Sequence, residues 1–301
     1  MTLGAVRAVT IVCHDLDAAT GPYSTYLDYR AVERSRVGPE LAAAWGAPAV
    51  AGCRFAVLEP ASGADTYIRF VEVPGAAAYA PCSAWGWHAL ELTVSDCDAA
   101  TTRLEQGPFR ILGDPKDLSF ADGALRASQL LGPCGEVLYL TEVRGPVPGY
   151  ELPVARALID RVFIMVLHGA SAQSGLRWYS QTFGNAASET MAVPIEFMAE
   201  LHGLDPSYPY RIGTLTLAPG FYFELDDTPA HLGARPHPAG GLPPGIAMVT
   251  CIGAPAPRAA SRPAQPVPGG PVYTAARSIS RSAGPFGEWL ELIGPEASGR
   301  A

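Results

Sequence analysis

The chain has 301 residues, with 21 Lys+Arg against 29 Asp+Glu and a formal charge of −8. That balance excludes a basic nucleic-acid binder, which needs clustered cations to neutralise phosphates. With 48% hydrophobic and 17% charged residues, the composition is that of a globular protein with a sizeable core, in one or two domains, and excludes a disordered chain.

The first alternating strand covers residues 5–13. It runs through His14-Asp15-Leu16-Asp17 into an Ala-rich helix that continues to Tyr29. Strand candidates follow at 54–58 and 66–72, the second read as a period-2 closing strand. The plan then restarts. Residues 88–94 form an apolar strand, Ser95-Asp96-Cys97-Asp98 opens a helix through Leu104, and 135–140 is the closing strand. Residues 145–149, Gly-Pro-Val-Pro-Gly, are punctuated by two prolines and read as a linker. A third copy opens at 159–166, carries Trp178-Tyr179 and Phe183-Gly184 on its helix, and closes through strands at 211–217 and 220–225. The fourth opens at 245–251 and passes through Pro-rich sequence that can hold little helix. It closes with strands at 273–279 and 287–292. The unit is strand, helix, then about three strands, recurring roughly every 70 to 85 residues.

An apolar strand ending in Asp15-Leu16-Asp17-Ala18-Ala19, a helix ending in an aromatic-Tyr and Leu/Phe-Gly pattern, and a closing Gly287-Glu288-Trp289-Leu290-Glu291-Leu292 together resemble the vicinal oxygen chelate superfamily. That superfamily includes glyoxalases, bleomycin-resistance proteins and extradiol dioxygenases. The resemblance covers nearly the whole chain and implies an α+β fold of four βαβββ modules paired into two curled-sheet cups. It implies an N-terminal domain of modules 1 and 2 (residues 1–148) and a C-terminal domain of modules 3 and 4 (residues 149–301).

The resemblance also implies a divalent metal held by His, Gln or Glu on first strands and Glu on closing strands, a donor set that leaves positions open for substrate oxygens. Counting back from the helix starts places Ala8, Ala89, Arg161 and one of Gly245, Ile246 or Ala247 at the first-strand positions, with His88 one residue out of register and so on the opposite face. The closing-strand positions are Arg69, Tyr139, Glu224 and Glu291. The expected N-terminal cup presents Ala8, Arg69, Ala89 and Tyr139. The expected C-terminal cup presents Arg161, Glu224 and Glu291. Imidazoles are missing and arginines stand where an ion belongs, so no metal is expected, with iron or manganese through a register slip or the loop histidines His202, His231 and His237 as the alternative.

Glu224 and Glu291 in a shared dry pocket would raise one another's pKa and could move a proton, while Arg161 holds a substrate oxygen anion. The competing reading is a buried ion pair that fills the cup. In the other cup Arg69, Tyr139, Glu91 and Tyr67 are candidate substrate-binding residues, and a structural Arg69–Glu91 salt bridge is the alternative. Trp178 is assigned to the core. Trp85, Trp87, Tyr208, Tyr210 and Phe221 are candidates for an aromatic-substrate pocket, and the Pro/Gly runs at 229–244 and 255–271 are loops suited to serve as lids.

The expected function is a metal-independent lyase or isomerase acting on a small aromatic or carboxylated metabolite. A bleomycin-resistance-like binding protein and a divergent extradiol dioxygenase are the rivals. Six cysteines without a CxxC pair, no signal peptide and no apolar run of the roughly 18 residues a membrane helix needs indicate a cytoplasmic protein. Its expected partner is a small molecule, not nucleic acid or membrane, and a homodimer is compatible with the sequence.

Overall fold

In the computed structural model, which describes residues 2–76, 78–255, 260–261, 265–266, 269–274, 276 and 278–294, each module opens on a strand buried along almost its whole length. These are β1 (Val6–Cys13), β5 (Gly86–Val94), β9 (Ile159–Gly169) and β13 (Ile246–Ile252). Near-continuous apolar runs of this kind belong at sheet centres, where both faces are covered, and all four occupy central positions.

The first module continues with α1 (Leu16–Tyr26), β2 (Arg30–Arg36), α2 (Pro39–Trp45), β3 (Arg54–Glu59) and β4 (Tyr67–Glu72). The second adds α3 (Cys97–Glu105), β6 (Arg110–Asp117), β7 (Leu125–Leu131) and β8 (Val137–Val143). The third adds α4 (Ala172–Phe183), β10 (Met191–Pro194), α5 (Glu196–Leu201), β11 (Pro209–Ala218) and β12 (Phe221–Asp227). The fourth adds the short β14 (Ala260–Ser261) and β15 (Gln265–Pro266), then β16 (Ser278–Ala283) and β17 (Trp289–Gly294). The strand expected at 273–279 therefore starts only at Ser278, because Pro271–Tyr273 takes a 3-10 turn; Ala275 and Arg277 lie outside the described residues.

The helix starts follow from the sequence. Asp15 accepts from the Asp17 and Ala18 amides at 2.9 Å, Asp96 from Ala99 at 2.9 Å, and Ser171 from Ser174 at 3.3 Å. Each such cap is worth about 1 kcal/mol. In each of these modules a carboxylate at the end of the last strand adds a bond to the first helical amide: Glu72 to Leu16, Glu142 to Cys97 and Asp227 to Ala172.

The pairing of modules differs from expectation. Sheet 1 runs β14-β16-β17-β13-β1-β4-β3-β2, with β15 also on β16, and so joins modules 1 and 4. Sheet 2 runs β10-β11-β12-β9-β5-β8-β7-β6 and joins modules 2 and 3. Antiparallel contacts of β1 with β13 and of β5 with β9 make these joins. Four equally apolar first strands are interchangeable as central partners, so pattern alone does not choose between them.

Consecutive modules instead meet back to back. Helices α1, α3 and α4 and the convex faces of both sheets share one core, with Tyr23, Leu104, Leu176, Phe70 and Phe223 within it. Two matching hydrogen bonds cross it: Tyr23 Oη donates to Glu136 at 2.7 Å and Tyr179 Oη to Glu288 at 2.5 Å. Each concave face holds its own cluster, with α2 in sheet 1 and α5 in sheet 2. Among the described residues no helix is long and apolar enough to cross a membrane.

Candidate functional site

The concave face of sheet 1 is centred on a buried ion pair, beside a recess of about 350 Å³ lined by Arg69, Tyr273, Glu33 and Phe55. Strand β4 sets Arg69 beside Thr10 of β1, and β17 sets Glu291 beside Thr250 of β13. Arg69 Nη2 meets Glu291 Oε2 at 2.8 Å, with both side chains at most 1% exposed. Arg69 Nε and Nη2 donate to Thr10 Oγ1 at 3.0 and 2.8 Å, and Nη1 donates to Tyr273 Oη at 2.6 Å. Glu291 also accepts from Trp45 Nε1 at 2.6 Å, from Tyr273 Oη at 2.8 Å and from Thr250 Oγ1. The Trp45 ring lies under the guanidinium at 4.5 Å. Burial alone would push the Glu291 carboxyl up; the Arg69 charge and the hydrogen bonds from Thr250, Trp45 and Arg69 outweigh it and hold the carboxyl below its ordinary range.

The metal implied by the resemblance does not fit here. A guanidinium already occupies the centre, and the first-strand residues that reach it are the hydroxyls Thr10 and Thr250, not imidazoles. Residues Ala8 and Ala247, expected at these positions, are buried apolar fillers.

The concave face of sheet 2 holds a cavity of about 420 Å³ whose buried polar lining is carboxyl-rich and has no guanidinium at its centre. Glu91 of β5 is paired in register with Tyr139 of β8, and Glu224 of β12 with Val166 of β9. Glu91, Tyr139 and Glu224 all line the cavity, with Gln129, Thr141 and Thr214 as further polar neighbours and Leu112, Tyr150, Phe163, Ile164, Phe197 and Ile212 among its apolar walls. At the mouth, Lys116 of β6 reaches Glu196 of α5 at 3.0 Å and links the two edges of the cup. Asp114, Glu189 and Glu200 add to the lining, so six carboxyl side chains face a single lysine.

Thr141 Oγ1 donates to Glu91 Oε1 at 2.5 Å. Burial nevertheless pushes the Glu91 carboxyl up to about 7, with the Thr141 bond opposing the rise and the Asp226 charge adding to it. Glu224 is raised well above its ordinary range, first by burial and then by Asp226 and Glu91. The Tyr139 hydroxyl is buried without a hydrogen-bond partner, and burial, then Asp226 and Glu224, raise it as well. Two carboxyls biased toward protonation, a phenol and the apolar Val166 and Ile164 do not match the imidazole-carboxylate set implied by the resemblance, so these positions do not fit its metal.

The sequence-derived candidates are thus regrouped. Arg69 and Tyr67 lie in sheet 1, with Tyr67 Oη bonded to Asp65 at 3.0 Å; Glu91 and Tyr139 lie in sheet 2. The Arg69–Glu91 bridge is replaced by Arg69–Glu291. Glu224 and Glu291 face different cups. Arg161 does not join either, because the in-register partner of Glu91 on β9 is Ile164; Arg161 instead stacks over Phe221 at 4.4 Å. Trp85, Trp87, Tyr208, Tyr210 and Phe221 are not among the cavity's lining residues, whose aromatics are Phe120, Tyr139, Tyr150, Phe163 and Phe197. Trp87 is spent in the core between the sheets, donating to the Trp289 carbonyl at 2.8 Å, and Trp178 is partly buried against that core. The 229–244 run is no lid: Arg235 ties it to the Trp87, Pro244 and Ile246 carbonyls. Of the later run, residues 256–259, 262–264 and 267–268 lie outside the described residues.

His88 also departs from expectation. The register of β5 on β9 shifts between Trp87 and Ala89, and this bulge turns the imidazole toward the cup. There it packs 6.5 Å from the Tyr139 ring and 6.3 Å from Phe197. Sequence reasoning misses Asp226, although it stands two residues after Glu224 on the same strand, a spacing that puts both on one face.

The sequence matches no protein-family model and no curated protein. Solved structures do match. Glyoxalase I from Zea mays superposes with a TM-score of 0.61 at 13% identity, over 96% of this chain and 92% of that one. A point mutant of the same maize protein gives 0.64 at 14% identity over 96% and 93%. A dioxygenase candidate from Bacillus subtilis gives 0.61 at 11% identity over 98% and 86%. This chain therefore has the fold of the vicinal oxygen chelate superfamily, four modules in two curled-sheet cups.

Proposed function

We propose that the protein binds a small organic molecule in the cup of sheet 2 and moves a proton on it with the Glu91–Glu224 pair, as a lyase or isomerase. The observation that carries this reading is the placement of both carboxyls on one open cavity, with Tyr139 in register beside Glu91 on the neighbouring strand. Carboxyls that repel one another in a partly dry site titrate as a pair, so one is available as base while the other holds a proton. The unpartnered Tyr139 hydroxyl is placed to donate to a developing oxygen anion. Six carboxyls against one lysine disfavour a carboxylated substrate and favour a neutral or cationic one with an apolar body.

The test begins with a thermal-shift screen of neutral and cationic carbonyl and aromatic compounds. Compounds that bind are then followed for solvent-deuterium exchange and product. Glu224→Gln and Glu91→Gln are expected to keep binding and to lose at least about tenfold in exchange rate, the low end of what a positioned acid or base supplies. Full exchange in both variants overturns the reading. The same acidic lining also suits a second reading, sequestration of a cationic ligand without chemistry, and tight binding with neither exchange nor product favours it.

A further inference from the structure

Behind the wall of the sheet 2 cavity lies a second constellation that the proton-transfer reading does not use. Cys82, His88 and His168 each bring one donor atom within 4.8 Å of the others, and all three side chains are at most 1% exposed. Both ring nitrogens of His168 and both carboxylate oxygens of Asp226 are buried without hydrogen-bond partners; His168 Nε2 and Asp226 Oδ2 stand 3.7 Å apart. Buried polar groups in folded proteins are almost always satisfied. Here the other fully buried carboxylates comply: Glu136, Glu288 and Glu291 each accept hydrogen bonds. The exception falls at a thiol and two imidazoles.

An ion held by these donors would supply His168 with the missing partner. Tetrahedral zinc, at roughly 2.0 to 2.3 Å from nitrogen and sulfur, sets its donors about 3.3 to 3.8 Å apart. Cys82 Sγ is already 3.7 and 3.8 Å from the two His88 nitrogens. The imidazoles of His88 and His168 stack with ring centroids 3.8 Å apart, and one donor atom of each lies within 4.8 Å of Cys82 Sγ and of the other. Thiolate with neutral imidazole selects zinc-class ions over magnesium or calcium. Asp226 stands where it can take the N–H of His168 when the other ring nitrogen binds, which fixes tautomer and orientation. Cys82 itself is held in place: His202 Nε2 meets its carbonyl at 2.9 Å, and His202 Nδ1 is anchored on Tyr210 Oη at 2.7 Å.

We propose that Cys82, His88 and His168 bind one zinc-class divalent ion, with Asp226 orienting His168. The thiol proton leaves to solvent on binding, and a fourth position is left for a non-protein ligand. Cys82 and His168 stand where the resemblance places no metal ligand, His88 is one residue from the first-strand position at Ala89, and the site does not depend on the chemistry of Glu91 and Glu224.

Full-length protein purified without chelators is expected to carry about one equivalent of zinc by elemental analysis. After removal of the metal, cobalt(II) is expected to restore one equivalent, with a thiolate-to-cobalt charge-transfer band and intense tetrahedral visible bands. Cys82→Ser abolishes the charge-transfer band, Cys53→Ser keeps it, and added zinc raises the Tm of the wild type but not of Cys82→Ser or His168→Gln. Glu91→Gln and Glu224→Gln leave metal uptake unchanged, so this site and the proton-transfer reading fail separately. Wild-type protein that takes up neither zinc nor cobalt overturns the proposal even where a variant does not fold. A charge-transfer band that survives Cys82→Ser also overturns it.

Discussion

Arg69 and Glu291 stand 222 residues apart in the chain and meet at 2.8 Å in the centre of sheet 1. Each comes from the closing strand of its module, and each falls where the resemblance places a metal ligand. The pair holds modules 1 and 4 together where an ion would hold them in a metal-binding cup. Removing one partner strands the other charge in a site that water does not reach, and such losses cost about 3 to 5 kcal/mol. Arg69→Met and Glu291→Gln are each expected to destabilise by that amount in urea unfolding. The double variant is expected to lose clearly less than the sum, because the glutamine carbonyl in it still accepts from Trp45 and Tyr273 and faces no orphaned cation. Additive losses would show that the two residues act independently.

Glu136 and Glu288 make stability depend on pH. Burial raises both carboxyls to about 7, against the hydrogen bonds from Tyr23 and Tyr179 that oppose the rise. A carboxyl whose pKa is higher folded than unfolded favours folding in its protonated form. Its contribution is fully present below the unfolded value near 4.5, falls as pH rises from there to about 7, and is constant above. Tm is therefore expected to decline across that window. Glu136→Gln and Glu288→Gln, which keep an acceptor for the tyrosine and remove the titration, are each expected to flatten the slope. An unchanged slope in the double variant would place the titration elsewhere.

The same two glutamates explain a repeat in the sequence, Gly132-Pro133-Cys134-Gly135-Glu136 and Gly284-Pro285-Phe286-Gly287-Glu288. In both turns the glutamate folds back, accepting from the amide two residues before it, Cys134 at 2.8 Å and Phe286 at 2.9 Å. A Cβ on Gly132 or Gly284 would overlap that carboxylate. The carboxylate is anchored by its tyrosine and amide and cannot swing away without leaving them unpaired. Gly132→Ala and Gly284→Ala are each expected to cost about 1 to 3 kcal/mol, the usual loss for a stranded buried polar group. Wild-type stability in either would mean that the turn relaxes freely.

The module plan is legible in the sequence because alternation, apolar first strands and the Asp15 and Asp96 caps are local signals. The partnering of modules is not, since β1, β5, β9 and β13 look alike along the sequence and only three-dimensional packing distinguishes β13 from β5 as the neighbour of β1. Arg69, Glu224 and Glu291 are readable as cup residues on closing strands, where Glu-Leu and Arg-Phe alternation fixes the face. Counting back from the helix start misplaces Arg161, because Ser171, not an Asp, caps that helix, and the count slips by three residues from Ile164. Alternation assigns His88 to the wrong face because a bulge reverses it, and nothing in Trp87-His88-Ala89 announces one.

Thr141 offers a direct handle on the cavity without touching its carboxyls. Its hydroxyl donates to Glu91 at 2.5 Å and is the influence that lowers the Glu91 carboxyl, against burial and the Asp226 charge. Thr141→Val preserves shape and removes the donor, so the ionised form of Glu91 loses its support and the carboxyl is expected to titrate above about 7. The carbon-13 shift of the Glu91 carboxyl, followed by NMR across pH, reads this directly. The pH at which a bound neutral ligand is released should move upward in parallel if that ligand requires protonated Glu91. A midpoint that stays put or falls in Thr141→Val would mean that the hydroxyl does not bear on the charge state of the pair, and that Glu91 is set by burial and Asp226 alone.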